Sequence, residues 1–475
     1  MENLRLLVIR HTTACSFILP EDGLRCLPDT LRVLDWDHFG TECLPPRFSC
    51  ENLVILRLYS SKLERLWDDE ANVELGNLKS LGLSRSECLR KLPNLSTALR
   101  LEEIYLEYCV SLVELPTSIL DLPKLKTLDV SFCRSLDLNN LEYYADDGGE
   151  QSGQHDQVIF PSLKKLIVSW TPIQNIPNFI TRSHILKLDC GSCKLDKFPV
   201  IPSLESLKAG SCGFEEVIEL GKLTKLKRLD LSYNYHLIHL SAEFYKLEAL
   251  EEIDLSYCDS LEEFPEILEA MEAVEVLNLS GCNSLSNLPN SIANLVHLGS
   301  LDLSYTDIRE LPLSIVDLTQ LTILRLNNCL CLTSLPDTMN QLYCLRTLEL
   351  IRCYELNHLP ELPPMLYKLT AQGCLSLQSF SFENQDLMIV EWNFGDCLDL
   401  DGEVCSKLVD KFIQASTRSA NGAKLILPPT MDSSSGDGEG NLVTTELRGQ
   451  PWELKLKLQR RFGDLGQKRG RRLLD

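Results

Sequence analysis

Between Leu101 and Leu366 the chain restates one pattern about ten times, Leu-x-x-Leu-x-Leu-x-x-Cys-x-x-Leu-x-x-Leu-Pro with small variations, and this constrains its fold more than any other feature. The clearest copies are Leu101–Pro116, Leu250–Pro265, Val274–Pro289, Leu321–Pro336 and Leu345–Pro360. First positions 250, 274, 298, 321 and 345 step by 24, 24, 23 and 24 residues. A globular core has no reason to keep such a beat, so one unit is being stacked.

Each copy alternates apolar and polar over its first six residues, which describes a short strand with one buried face. In one copy Leu250, Ile253 and Leu255 point inward, Cys258 sits where the strand turns away, and Leu261 and Phe264 fill the core from the returning limb. Pro265, with no N–H, stops further pairing. Later, Leu295, Leu318 and Leu342, each three residues after Ile292, Ile315 or Met339, supply a back wall. One unit cannot bury this much leucine alone, so stability comes from neighbour on neighbour, at roughly 1.5–3 kcal/mol per fully buried large side chain. The expected fold is an α/β repeat, a leucine-rich-repeat solenoid (horseshoe) with a parallel β-sheet on its concave face and about 16 repeats.

Units open at Leu4, Leu31, Leu53, Leu78, Leu101, Leu125, Leu163, Ser183, Leu204, Leu226, Leu250, Val274, Leu298, Leu321, Leu345 and Leu366, those at Leu4 and Ser183 being degenerate. The repeats occupy 1–383, with a polar, mobile loop insertion at 139–157 where the step lengthens to 38 residues. In 384–430, a partial post-repeat β-rich segment, strands are expected at Leu387–Phe394 and Ala423–Leu427 and a helix at Val404–Gln414. The tail, 431–475, reads as disordered and ends basic. A repeat begins within four residues of Met1, so the exposed end of the core calls for a cap from another domain, or the chain is a piece of a longer one.

Of 19 cysteines, eight fall on the turn position: Cys109, Cys133, Cys212, Cys258, Cys282, Cys329, Cys353 and Cys374. Ser86, Thr171, Asn234 and Thr306 replace them elsewhere, which asks for a small side chain under the turn that makes a weak hydrogen bond. An odd total and no secretory start point to free thiols in a reducing, cytoplasmic setting. Gln467-Lys-Arg-Gly-Arg-Arg472 reads either as a nuclear-import patch or as a plain solvated tail. With 46 basic against 68 acidic residues the net charge of −22 favours protein over nucleic acid as the main partner. No apolar run is long enough for a membrane span.

Catalytic and cofactor signals are weak. Cys190-Gly-Ser-Cys193 with His184 has half a zinc-site spacing and no second pair to complete it. The histidines meet no activated nucleophile, and no Gly-x-x-x-x-Gly-Lys-Ser/Thr loop exists, so neither an enzyme nor a cofactor is expected.

Three stretches carry a family resemblance: Leu44-Pro-Pro-Arg-Phe-Ser-Cys-Glu-Asn-Leu-Val-Ile-Leu-Arg-Leu-Tyr-Ser-Ser-Lys-Leu-Glu-Arg-Leu-Trp67, Leu83–Ser96 and Cys109–Ile119. They resemble the early repeats of plant intracellular nucleotide-binding leucine-rich-repeat immune receptors of the class with an N-terminal TIR domain. Pro360–Cys374 resembles that family's closing repeat, and Asn393–Asp401 with Ile426-Leu-Pro428 the start of its post-repeat β domain. The resemblance implies recognition of a pathogen effector, or of a guarded host protein that an effector alters. Without a phosphate loop or a TIR-like βαβ series of its own, the chain would act with a full-length TIR-containing receptor, as decoy or helper. A scaffold or adaptor without signalling activity is the alternative.

The outward positions of the strand are the candidate protein-binding surface. The residue just before the turn position gives Tyr108, Phe132, Trp170, Tyr233, Tyr257 and Tyr305, and the residue between the paired leucines gives Tyr105, Asp129, Asp230, Asp254 and Asp302. An aromatic stripe beside an acidic one suits a partner with apolar anchors and Arg or Lys at its rim. Asp-Leu-Ser-Tyr is also close to the default filling of such repeats, so the stripe equally reads as structure.

Overall fold

In the computed structural model the chain divides into two compact bodies, Met1–Phe214 with Ile218–Leu231, and Glu215–Val217 with Ser232–Asp475. The structure describes residues 4–10, 27–45, 48–67, 73–141, 159–181, 183–381, 387, 390–416, 423–428 and 445–449. Most of the insertion expected at 139–157, the tail expected at 431–475 apart from 445–449, and the basic run 467–472 lie outside them.

Each body is a leucine-rich-repeat solenoid built on one parallel ladder. In the first, strands run from Leu6–Ile9 through Glu103–Tyr105 and Thr127–Asp129 to Arg228–Asp230; in the second, from Glu252–Asp254 through Ser300–Asp302 to Ala423–Leu427. Along these ladders the repeat strands begin two residues after their units open, so apolar side chain faces apolar side chain: Ile104 opposite Leu128, Leu277 opposite Leu301, Leu324 opposite Leu348. A slip of one residue would turn the whole row to solvent, which is why the register holds. The unit expected to open at Ser183 is the one shift. Its strand, Lys187–Asp189, begins two residues after Ile185, which is fully buried, while the Ser183 hydroxyl bonds back to the Ile180 carbonyl at 2.6 Å.

In several units the returning limb carries a short 3₁₀ turn, as at Asn290–Asn294 and Leu313–Asp317, each entered from an extended proline, Pro289 or Pro312. Proline supplies the fixed φ that starts such a turn and needs no donor there. Ile292, Leu295, Ile315, Leu318, Met339 and Leu342 are all fully buried in the back wall.

Beyond the repeats the expected strand Leu387–Phe394 contracts to Glu391–Asn393, which pairs in parallel with Lys368–Thr370. Ala423–Leu427 follows in parallel, and Thr445–Gly449 closes this ladder antiparallel to it. The expected helix is longer than its periodic core, Gly402–Ser416. Its Phe412 packs edge-on against Trp392, centroids 6.0 Å apart.

The cysteine column has a uniform geometry. Thiols of the column reach back to a carbonyl of the preceding unit: Cys109 to Leu83 (3.3 Å), Cys133 to Leu106 (3.2 Å), Cys282 to Leu255 (3.2 Å), Cys353 to Leu326 (3.0 Å). Cys193 and Cys397 join the same column, bonded to Val168 and Ala371, so the candidate zinc-type pair Cys190 and Cys193 splits between an inward strand position and the turn. Among the described residues no three metal-type ligands gather. The described cysteines are free, and burial pushes the Cys133 thiol up to about 12 and Cys329 to about 11. Thiolate, the reactive form, is therefore scarce at neutral pH. Under native alkylation the exposed Cys88 reacts while Cys109, Cys133 and Cys282 stay unmodified until the chain unfolds; mass spectrometry of peptides reads this, and ready native labelling of Cys282 would contradict the buried ladder.

Candidate protein-recognition surface

The residue before each buried turn position carries a positive φ: 60° at Tyr108, 59° at Phe132, 60° at Trp170, 59° at Tyr233, 58° at Tyr257 and 60° at Tyr305. The fold demands this backbone. The N–H of that residue must reach across to the next unit, as Tyr108 does to Ser131 (2.9 Å), Tyr257 to Ser280 (2.7 Å) and Tyr305 to Asn327 (2.7 Å). The fold does not demand an aromatic ring there. Gly281 and Gly373 fill the same place, and an L-residue in this region costs roughly 1–2 kcal/mol.

In the first body the rings form a continuous stack. The Arg85 guanidinium lies over Tyr108 at 5.2 Å, Tyr108 stacks on Phe132 at 4.1 Å, and Phe132 on Trp170 at 5.5 Å. Trp170 ends it exposed. In the second body Tyr233 stacks on Tyr257 at 4.8 Å, and the Tyr257 ring leans over Gly281, where a Cβ would come within 2.7 Å of it. Tyr305, one unit further, is exposed and has no ring partner among the described residues.

The carboxylates between the paired leucines have a structural task. Asp129 Oδ1 accepts from the Ser131 N–H (3.0 Å), Asp254 Oδ1 from Ser256 (2.9 Å) and Asp302 Oδ1 from Ser304 (3.0 Å). Each thus closes the turn leading into the left-handed residue. Asn278 does the same for Ser280, which shows that the charge itself is dispensable there. Asp230 occupies the corresponding place in its strand, Arg228–Asp230. Tyr105 occupies it in Glu103–Tyr105, half-buried, where desolvation and the neighbouring carboxylates Glu103 and Asp129 raise its phenol pKa.

Further along the second body this column changes sign. Asp302 lies 3.9 Å from Arg325, Arg325 lies 3.5 Å from Glu349, and Glu349 bonds Lys368 at 2.8 Å. Burial pushes Glu349 up, but bonds from Lys368 and Asn327 and the charges of Lys368 and Arg325 together hold it below the usual carboxylate range. The acidic stripe read from the sequence is therefore partly neutralised from within at this end.

A cavity of about 470 Å³ opens here, lined by Tyr257, Asp302, Tyr305, Arg325, Asn328 and Arg352 among others. Among the sequence candidates, Tyr257, Asp302 and Tyr305 meet at it. Arg325, Asn328 and Arg352 were missed. Arg325 holds the same register position as Asp302 and was legible from the repeat alone; Arg352 was legible as a further residue before a turn cysteine.

The profile described as leucine-rich repeat region matches residues 274–386. Disease resistance protein RPP4 of Arabidopsis thaliana is 35% identical over 225 residues, covering 45% of this chain and 19% of that protein. Disease resistance protein RML1A of the same plant is 35% identical over 242 residues, covering 48% of this chain and 24% of that protein. The chain thus spans about a fifth to a quarter of the length of these relatives. Among solved structures, a leucine-rich-repeat protein of Leptospira interrogans aligns with a TM-score of 0.56 at 22% identity, over 83% of this chain and 92% of that one, a likeness of fold. No described helix is long and apolar enough to cross a membrane.

Proposed function

From repeats homologous to those of plant disease resistance proteins, we propose that this chain is the partner-recognising part of an intracellular immune receptor. The partner is a pathogen effector or a host protein that an effector alters. One observation carries the reading: exposed aromatic rings at positive φ, where the backbone would accept glycine. Stacking returns about 0.5–1.5 kcal/mol per pair, no more than the left-handed backbone costs. Tyr305 has no such return among the described residues, which favours a role for its ring in contact with a partner.

The residues proposed to make that contact are Tyr108, Phe132 and Trp170 in the first body and Tyr233, Tyr257 and Tyr305 in the second, with Tyr105 and the outer oxygens of Asp129, Asp230, Asp254 and Asp302 beside them. Rigid aromatic side chains lose little entropy on binding and are common energetic centres of interfaces. The fold and the repeat match fit a recognition module rather than an enzyme.

Tyr233, Tyr257 and Tyr305 exchanged together for Ala test this. With the circular dichroism melt retained, pull-down of candidate effectors or of a TIR-containing receptor is expected to fall by roughly 100-fold or more, as loss of interface anchors does. A folded triple variant that keeps every interaction would leave the stripe as structure alone.

A further inference from the structure

A second surface lies just past the buried turn, two residues on from the tyrosine column. In the three units from Leu250, Val274 and Leu298 the residue after the turn position is polar: Asp259, Asn283 and Asp307. In the next four it is apolar: Leu330, Tyr354, Leu375 and Leu398, following Cys329, Cys353, Cys374 and Cys397. All four are exposed, by 48%, 36%, 39% and 58%. The strands they follow are consecutive in one ladder, and their turn thiols are bonded in the same register, so the four side chains form one column. At about 4.8 Å per strand it is about 14 Å long.

The column is edged by acid on one side. Glu355 and Asp399 directly follow Tyr354 and Leu398, whereas the other side, two residues before them, carries Arg352 as well as Asp396. Among the described residues neither Glu355 nor Asp399 has a basic group within ion-pair distance; Asp399 accepts from the amide of Gln378 (3.4 Å). A contiguous exposed apolar row rimmed by unneutralised charge marks an interaction site.

We infer that Leu330, Tyr354, Leu375 and Leu398 dock an amphipathic α-helix of a partner protein, apolar at i, i+4, i+7 and i+11 and carrying Lys or Arg on the flank that meets Glu355 and Asp399. The spacing selects a helix. Four such residues span about 16 Å at 1.5 Å per residue, about 5.5 Å between contacts, close to the column's own step. A partner strand presents same-face side chains about every 6.7 Å and falls out of step after one contact. Helix-in-groove recognition of this kind reads apolar anchors by position and charge by flank.

The test uses the full chain and a fluorescent helical peptide about 15 residues long, with Leu at i, i+4, i+7 and i+11 and Lys flanks. Controls are a peptide of the same composition with the leucines moved to alternate positions, and one with Glu in place of Lys. Fluorescence anisotropy is expected to show binding of the first peptide, weakened at least about tenfold by the double variant L375E/L398E and for the two controls. Both side chains are exposed, so the melt of the variant should match that of the parent. Y233A/Y257A/Y305A should bind the peptide unchanged, which separates this site from the tyrosine surface. Equal binding of the rearranged peptide, or of L375E/L398E, would overturn the inference. So would parent self-association in sedimentation that L375E/L398E abolishes, since a second copy would then hold the column.

Discussion

Leu301→Asp is expected to abolish cooperative folding of the Glu215–Val217 and Ser232–Asp475 body. Leu301 is fully buried at the centre of Ser300–Asp302, with Leu277 and Leu324 opposite it on the two neighbouring strands. The change removes a core side chain, worth about 2–5 kcal/mol with its cavity, and sets an unpaired carboxylate where no described neighbour on the ladder can pair with it. Several kcal/mol more follow from desolvation, and the sum consumes the roughly 5–15 kcal/mol by which a domain is stable. Leu301→Ala, carrying only the first part, should shift the urea midpoint while keeping a sigmoidal transition. Near-UV circular dichroism and urea melts distinguish the two. A Leu301→Asp protein melting within a few degrees of the parent would mean that this face is not sealed as described.

Phe412→Ala should cost about 3–5 kcal/mol, as removal of a buried aromatic ring does. Phe412 is fully buried on the Gly402–Ser416 helix and meets Trp392, which stands in the leucine row opposite Leu369 and contacts Phe394 at 6.0 Å. The ladder runs on past Trp392 to Ala423–Leu427 and Thr445–Gly449, and the helix, set in the chain between Glu391–Asn393 and Ala423–Leu427, packs against the indole. Hydrogen exchange should therefore rise first at Glu391–Asn393 and Ala423–Leu427, ahead of Ser300–Asp302. Uniform loss of protection along the ladder, or none, would count against the helix holding these last strands in place.

Much of the fold was legible because a period of two within a strand and of 23 or 24 between the clearest units leaves one way to hide the leucines. Where the pattern weakens, the register is set by tertiary pairing. Ile185 sits two residues beyond the opening expected at Ser183, and pairing with the neighbouring strands fixes it as the inward residue. Beyond Glu383 the periodic row passes to Trp392, which a leucine count does not find, although the ladder continues through it. Cys193 was weighed as a metal ligand for its spacing from Cys190, whereas its bond to Val168 puts it in the turn column.

The candidate surface divides in the same way. Which residues point outward was decided by the sequence, since alternation along a strand is local and needs no tertiary information. Local alternation cannot say what an outward side chain then does, because that depends on atoms a whole unit away. Only the folded chain showed that Asp129, Asp254 and Asp302 spend an oxygen on their own turns, that Tyr257 lies across Gly281, and that Arg325 ties Asp302 to Glu349. The same holds for Leu330, Tyr354, Leu375 and Leu398: 21 to 24 residues apart in the chain, they become one surface only when parallel pairing sets their units side by side.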